Sequence, residues 1–243
     1  SITSKHAVDL KLIEKHYKNK IVLIEKPLAE KKINFRLNRN KYYVGYNMRY
    51  HPVIQFIKNK IKKNKINAIN ILCTSYLPNW RPGRDYKKIY SSNKINGGGV
   101  LLDLSHELDY MQWLFGRITK IKSATVDKIS NLKIKAEDRA IINGSIKSSF
   151  FTINLNFFSR SNNRIIIIDS DKFSIKGDLI NNFVEIFYQN KKKKIKFKNS
   201  KNLSYIWQHK DILDNKFKKL CNLVDGNKIV EQIQKIKKIG MFR

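Results

Sequence analysis

The sequence lacks the features of disulfide-stabilised, membrane-spanning and secreted proteins. It contains only two cysteines, Cys73 and Cys221, which stand far apart in apolar surroundings and without the spacing of metal ligands. We therefore expect reduced, buried thiols in a cytoplasmic protein that holds no metal. No apolar run of about 18 residues occurs, so we expect no membrane-spanning helix. The opening residues show neither an initiator methionine nor the basic and then apolar segments of a signal peptide.

Acidic residues are also scarce: 19 Asp and Glu stand against 50 Lys and Arg, which gives a formal net charge of +31. Such an excess can indicate a nucleic-acid-binding module. The basic residues are scattered, however, with a single run at Lys191–Lys194, and lysine outnumbers arginine four to one. Arginine is the better group for bidentate phosphate and base contacts. Lysine, asparagine and isoleucine all have codons built of A and T, so an AT-rich genome explains the charge. We expect no specific nucleic-acid partner.

Gly97–Gly116, which reads GGGVLLDLSHELDYMQWLFG, is the stretch around which the other features are organised. Its apolar residues recur with the period of a helix and form one stripe, made of Leu101, Leu104, Leu108, Met111 and Phe115. Asp103 and His106 fall on a roughly opposite face, three residues apart, so their side chains can reach each other. A carboxylate can fix the tautomer of an imidazole and raise its basicity. The pair is therefore either a proton-transfer site or a capping aspartate beside a core histidine.

The beginning of the chain reads as part of a doubly wound sheet. Residues 5–18 predict a short amphipathic helix with Ser4 as its N-cap. Lys20–Glu25 is a continuous apolar run that predicts a buried parallel strand ending at Pro27. Ligands of such sheets bind beyond the carboxyl ends of the strands, where Lys26 stands. Lys26 is therefore either a ligand-binding group or a solvated surface lysine.

The rest of the chain predicts helices around an antiparallel sheet. Residues 28–40 read as a short polar helix or loop, and Tyr42–Tyr46 as a second strand. Helices are predicted from Pro52 to about Lys63, over Tyr205–Leu223 with Ile206, Leu213, Phe217, Leu220 and Val224 inward, and over Val230–Ile239. Eight strands are expected, over Ile66–Leu77, Lys120–Val126, Ala140–Ile146, Phe150–Phe158, Arg164–Asp169, Phe173–Ile175, Phe183–Tyr188 and Lys192–Phe197. Most follow one another without helices between them, which means an antiparallel sheet.

Pro78–Tyr90, which reads PNWRPGRDYKKIY, is a loop dense in aromatic and guanidinium groups. Such groups suit sugar rings, which take stacking, and phosphates, which take bidentate donors. The same composition also fits a structural loop pinned by its own aromatic side chains. The sequence leaves both interpretations open.

Three segments, VLIEKPLAE, VGYNMRYHP and GGGVLLDLSHELDYMQWLFG, resemble the glucose–fructose oxidoreductase/inositol dehydrogenase (Gfo/Idh/MocA) family in their order and separation. A fourth, SYLPNWRPGRDY, is similar to members associated with surface-polysaccharide sugars. The resemblance implies an α/β plus α+β fold. Residues 1–47 would be the C-terminal part of a Rossmann domain, and residues 48–243 an α+β substrate and oligomerisation domain with an open, mainly antiparallel sheet.

The resemblance also implies an NAD- or NADP-dependent oxidoreductase that acts on a sugar or nucleotide-sugar and forms dimers or tetramers through that sheet. Lys26, Asp103 and His106 would be catalytic, with His106 as the general acid/base that Asp103 orients. The cofactor would be lined by Ser4, His6, Glu25, Lys26 and Pro27. The expected substrate-binding residues are Arg49, Trp80, Arg81, Arg84, Tyr86 and Tyr90.

Two departures from the family pattern qualify these expectations. Asp103 and His106 stand three residues apart, where many members space the pair by four. No GxGxxG occurs in the 243 residues, and Gly97–Gly99 follows a polar loop rather than a strand. The chain thus corresponds to a family member that begins about a third of the way into its nucleotide-binding domain. The alternative is a catalytically inactive fragment, or a sugar-binding remnant, of such an enzyme.

Overall fold

The computed structural model describes residues 7–94, 97–200 and 202–240. Its first elements are helix α1 (Ala7–His16) and two parallel strands, β1 (Ile21–Ile24) and β2 (Lys41–Val44). Three of the four residues of β1 are buried, which confirms the buried parallel strand. The segment between the strands contains no helix, so of the two expectations for it the loop is correct. The expected N-cap Ser4 lies outside the described residues.

A helical turn at Asn47–Tyr50 connects this unit to helix α2 (Pro52–Lys60) and to strand β3 (Ile66–Tyr76). Proline occupies the first turn of α2, where its missing N–H costs no hydrogen bond. The imidazole Nδ1 of His51 accepts the Val53 N–H at 3.3 Å and caps the helix. The helix ends before Lys63, which takes a positive φ of 63°.

The stretch 97–116 forms two short helices, α3 (Val100–Asp103) and α4 (His106–Phe115), rather than the expected single one. The chain departs from helical geometry at Leu104, where φ is −95° and ψ is 29°. Asp103 and His106 therefore lie on opposite sides of a break, and the helical geometry that was expected to pair them is lost. Both faces of α4 are also buried, including Glu107, Asp109 and Tyr110. The polar residues of α4 are therefore enclosed by the rest of the protein rather than turned to solvent.

Eight strands form the large sheet, and it is mainly antiparallel, as expected. Beyond β3 they are β4 (Lys120–Asp127), β5 (Arg139–Ile146), β6 (Ser149–Asn156), β7 (Phe158–Ser170), β8 (Ser174–Asp178), β9 (Phe183–Phe187) and β10 (Lys192–Lys196). Their order is β10-β9-β8-β7-β3-β6-β5-β4, and the β3–β6 pair is parallel. Lysine-rich β10 is an edge strand of this sheet. Lysines on an edge strand hinder its pairing with another chain.

One face of the large sheet forms the main core against α2, α3 and the C-terminal helix. The opposite face carries exposed apolar side chains, among them Phe150, Ile167 and Phe187. Assembly of dimers or tetramers through this sheet remains a prediction. Cys73 and Cys221 are buried and free, as expected.

The end of the chain returns to the first unit through helix α5 (Leu203–Leu213), strand β11 (Cys221–Asn222) and helix α6 (Leu223–Gly240). The expected helix over 205–223 is therefore wrong beyond Leu213, and Asn215 takes a positive φ of 55°. Ile206, Leu213 and Val224 are 56%, 80% and 61% exposed rather than inward. The apolar periodicity did not predict the end of α5, because the chain leaves the helix there and residues 221–222 pair with β2 as strand β11.

Strand β11 pairs antiparallel with β2 and completes a three-stranded sheet. Helix α6 packs closely beside it, because a Cβ at Gly226 would lie 2.5 Å from Val44 Cγ2. A domain boundary between residues 47 and 48 remains a prediction, and the structure adds that residues 221–222 belong to the first sheet. None of the helices in the described part of the chain has the length and apolar composition needed to cross a bilayer.

Candidate active site

The carboxyl end of β1 brings Lys26 to the break between α3 and α4. The Lys26 ammonium donates a hydrogen bond of 2.5 Å to the backbone oxygen of Asp103, and the peptide bond between Lys26 and Pro27 is cis. Burial lowers the pKa of Lys26, because the ammonium loses water, while the Asp103 carboxylate partly restores it. Lys26 is thus an enclosed cation rather than a solvated surface lysine.

Asp103 is held by Tyr90 rather than by His106. The Tyr90 hydroxyl donates to Asp103 Oδ1, and Oδ2 has no hydrogen-bond partner among the described residues. Burial raises the pKa of Asp103, and the charge of Lys26 opposes that rise. The buried Asp103 and the partly buried Lys26 therefore form one electrostatically coupled pair, which Tyr90 connects to the 78–90 loop.

His106 is buried at the start of α4, with the Tyr46 ring packed edge-on at 5.6 Å between ring centroids. Its Nδ1 is buried and has no hydrogen-bond partner among the described residues. Burial lowers the pKa of His106 well below its usual range, and the positive charges of Lys26 and Arg164 lower it further. The imidazole is therefore neutral at pH 7.

Beside His106, the fully buried carboxylate of Glu107 receives Arg164 from β7. Arg164 Nε donates to Glu107 Oε1 at 2.7 Å and Nη2 donates to Oε2 at 3.2 Å. Burial disfavours the charge of Arg164, but Glu107 raises its pKa, so the guanidinium stays charged. Sequence reasoning assigned neither residue a role. The sequence did contain a signal for each residue. Arg164 is a single charge at the start of the apolar run RIIII, and Glu107 is a charge inside an apolar helix.

A pocket of about 700 Å³ opens over His106 and Arg164. Its other described lining residues are mostly amides and hydroxyls, and they are Asn47, Met48, His51, Leu179, Ile180, Asn182, Asn199, Ser200, Asn202, Ser204 and Tyr205. Lys26 is hydrogen-bonded to Asp103, three residues before His106 in the pocket lining, so the end of β1 lies near the pocket. Its size and lining suit a polar small molecule.

The polar walls of the pocket are tied together by side-chain hydrogen bonds. Asn47 Nδ2 donates to Ser204 Oγ at 2.8 Å and joins the 47–50 turn to α5. Asn199 Nδ2 donates to Asn182 Oδ1 at 2.8 Å and lies 3.1 Å from His51 Nε2. Burial, together with the charge of Arg164, lowers the pKa of His51 to about 4. His51 is therefore a neutral structural ring in this wall.

None of the six expected substrate-binding residues lines this pocket. Arg49 is buried on another side of α4, where it pairs with Asp109 and donates to the Leu220 carbonyl. Trp80 packs on Phe157, its Nε1 donates to Ser75, and Tyr86 accepts a backbone N–H from Lys133. Arg81 and Arg84 are exposed. Among the six, Tyr90 alone contacts an expected catalytic residue, and the aromatic packing favours a pinned structural loop.

Three of the five expected cofactor-lining residues lie in the described part of the chain. Glu25, Lys26 and Pro27 follow β1 at its carboxyl end, next to the pocket, whereas Ser4 and His6 lie outside the described residues. A GxGxxG fingerprint for the pyrophosphate is not in the sequence. Among the described residues there is no group of three His, Cys, Asp or Glu side chains that could hold a metal.

Comparisons with known proteins agree with this architecture. The sequence model of the GFO/IDH/MocA C-terminal domain matches residues 54–178, slightly more than half of the chain. No curated protein sequence matches.

Solved structures share the fold at low sequence identity. The transcriptional regulator Gal80p from Kluyveromyces lactis superimposes with a TM-score of 0.82 at 15% identity, over 99% of this chain and 73% of that one. Levoglucosan dehydrogenase in complex with NADH gives 0.80 at 12% identity, over 97% and 74%. The WlbA dehydrogenase from Bordetella pertussis, in complex with NADH and UDP-GlcNAcA, gives 0.68 at 15% identity, over 95% and 71%.

Proposed function

This chain belongs to the GFO/IDH/MocA family, and from that premise we propose that it acts on a sugar or nucleotide-sugar, with NAD or NADP as the partner in hydride transfer. The observation that carries the proposal is the place of His106 in the pocket lining, with its Nδ1 buried and unpartnered among the described residues. Burial, together with the positive charge of Lys26, lowers the pKa of His106, so the ring is neutral at pH 7. A general base for a hydroxyl proton needs this protonation state at neutral pH.

His106 would accept the proton of the sugar hydroxyl that becomes a carbonyl, and return it in the reverse direction. Lys26 would donate a hydrogen bond to the same oxygen and stabilise the negative charge that develops there. The lowered pKa of Lys26 makes it a stronger donor than a solvated lysine. Asp103 would hold Lys26 charged. Its expected role of orienting His106 has no support, because Tyr90 holds its carboxylate instead.

When bound, the nicotinamide supplies the hydride acceptor or donor. Glu25, Lys26 and Pro27 would hold that end of the cofactor, because they follow β1 beside the pocket. The remaining contacts would need residues that provide a pyrophosphate site, as a glycine-rich loop and helix N-terminus do in dinucleotide-binding folds. We also propose assembly through the exposed sheet face, a place in surface-polysaccharide synthesis and a cytoplasmic location, as the sequence suggested.

The second candidate is a protein that binds a sugar without transforming it. The observation in its favour is that a transcriptional regulator has the same fold, so that the fold alone does not imply catalysis. Titration of the full chain with NADH, followed by nicotinamide fluorescence, separates the two. Binding, together with hydride transfer to or from an added sugar or nucleotide-sugar, supports the enzyme. Sugar binding without NADH binding at millimolar cofactor supports the remnant.

A further inference from the structure

The pocket next to His106 has an uneven distribution of charge. Of its described lining residues, Arg164 alone carries a permanent charge, and none is an aspartate or glutamate. His51 and His106 are neutral, since burial lowers the pKa of both. The remaining groups are amides, hydroxyls and apolar side chains. Among the described lining residues, a ligand therefore meets the cation of Arg164 and no carboxylate.

In the Arg164–Glu107 ion pair, Arg164 is the residue that faces the pocket. The Arg164 side chain is 23% exposed, while that of Glu107 is 0% exposed. The carboxylate takes two nitrogens of the guanidinium, Nε and Nη2, and the hydrogen bonds of the described residues leave Nη1 for a ligand. Glu107 thus fixes the orientation of the Arg164 guanidinium from its buried side. A donor that is already fixed loses little conformational entropy when it binds a ligand.

A second group in the same wall also lacks a partner. Asn199 Oδ1 is buried and accepts no hydrogen bond from the described residues, although its Nδ2 is engaged with Asn182. Buried polar atoms are normally paired, so an orphaned acceptor in a pocket wall indicates a ligand donor. A sugar hydroxyl supplies such a donor.

We propose that the substrate is an anionic sugar, whose carboxylate or phosphate oxygens bind Arg164 Nη1 while a ring hydroxyl donates to Asn199 Oδ1. This inference rests on the proposed function and specifies its substrate class. Charge-assisted hydrogen bonds to guanidinium are short and strong, so the anionic group contributes both affinity and selectivity.

Calorimetric titration of the full chain, with and without NADH, tests the inference with three probes. D-glucuronate carries a carboxylate, glucose 1-phosphate a phosphate, and methyl β-D-glucoside no charge. We expect one of the two anionic probes to bind about 10–100-fold more tightly than the neutral glycoside. The preferred anion identifies the group, and its advantage should shrink as KCl is raised.

Two variants test the role of Arg164, and the first is designed so that no buried carboxylate is left unpaired. The double variant R164Q/E107Q takes away both charges and should bring the anionic and neutral probes to equal affinity. R164K keeps the charge but loses the rigid fork, and it should reduce the preference about tenfold. The matched control is R139Q/D127N, because Arg139 and Asp127 form a similar bidentate pair on β5 and β4, outside the pocket.

Equal affinity for all three probes in the unmodified chain overturns the inference while leaving sugar binding, and thus the proposed function, intact. A preference for the anionic probe that survives in R164Q/E107Q also overturns it. If no probe binds with or without NADH, both the inference and the proposed function fail. R164K remains a test if the double variant does not fold.

Discussion

Helix α4 makes two buried ion pairs with arginines, and the two pairs have different surroundings. Asp109 binds Arg49 through two nitrogens, and Arg49 is 4% exposed with a further donor bound to the Leu220 carbonyl. Glu107, two residues earlier, binds Arg164 in a similar way, but 23% of the Arg164 side chain faces the pocket. The first pair is closed and joins α4 to the 47–50 turn and β11. The second is open on one side and can meet a ligand.

In both pairs the carboxylate takes Nε and Nη2, so the difference lies at Nη1. The Leu220 carbonyl accepts from Nη1 of Arg49, whereas no described residue accepts from Nη1 of Arg164. The sequence cannot show this, because it does not give the partner. Arg49 was expected to bind substrate, and the structure places it in the closed pair. Arg164 was expected only as the first residue of a strand, and the structure places it in the pocket wall.

The largest expected effect is a loss of turnover from a change at His106, on the pocket side of α4. His106→Ala should lower turnover of any sugar that the chain oxidises or reduces by about 10²–10⁴-fold, because the general base is lost. Steady-state kinetics with saturating cofactor measures it. His16→Ala, which removes an exposed histidine on α1, is the matched control and should change nothing. Near-normal turnover in H106A would remove His106 from the mechanism.

The closed pair should matter more for stability than the open one. Arg49→Leu leaves the Asp109 carboxylate buried without its counter-ion, and this should lower the free energy of unfolding by about 3–5 kcal/mol. Arg164→Leu leaves Glu107 near Lys26 and a pocket that admits water, so its loss should stay below about 3 kcal/mol. Urea denaturation of both variants tests the order. A larger loss in R164L would mean that the pocket-side pair is the main structural one.

How far the sequence predicts this molecule depends on whether local patterns or distant partners decide the outcome. Strands such as β1 and β3 were predicted because apolar runs and their end signals are local. The break at Leu104 was missed because the helical period of the apolar residues continues across it. The expected helix over 205–223 failed because β2 offers an edge that residues 221–222 complete. Lys26 and His106 were found through motifs, whereas Arg164 and Asn199 gain their places only from folding.

The stability of the fold should also depend on pH through His51, which lies in the pocket wall. The pKa of His51 is about 4 in the folded chain and near 6.5 when unfolded, so below pH 6.5 the unfolded state binds the extra proton. Stability should therefore fall as the pH drops from 6.5 to 4, by roughly 3 kcal/mol from this residue. Asn can still cap α2, so His51→Asn should remove this part of the dependence. Urea denaturation at several pH values measures the difference. Identical pH profiles for both proteins would show that His51 is protonated without cost.

The smallest effect concerns Trp80, whose indole either packs within the protein or stacks on the sugar. Trp80→Phe keeps a ring beside Phe157, whose centroid lies 5.0 Å away, but loses the hydrogen bond of 2.9 Å to Ser75. If the ring pins the 78–90 loop, the free energy of unfolding should fall by about 1 kcal/mol while KM for the sugar stays unchanged. If the indole instead stacks on the sugar, KM should rise with no loss of stability. Because Trp80 lines no part of the His106 pocket, we expect the first result.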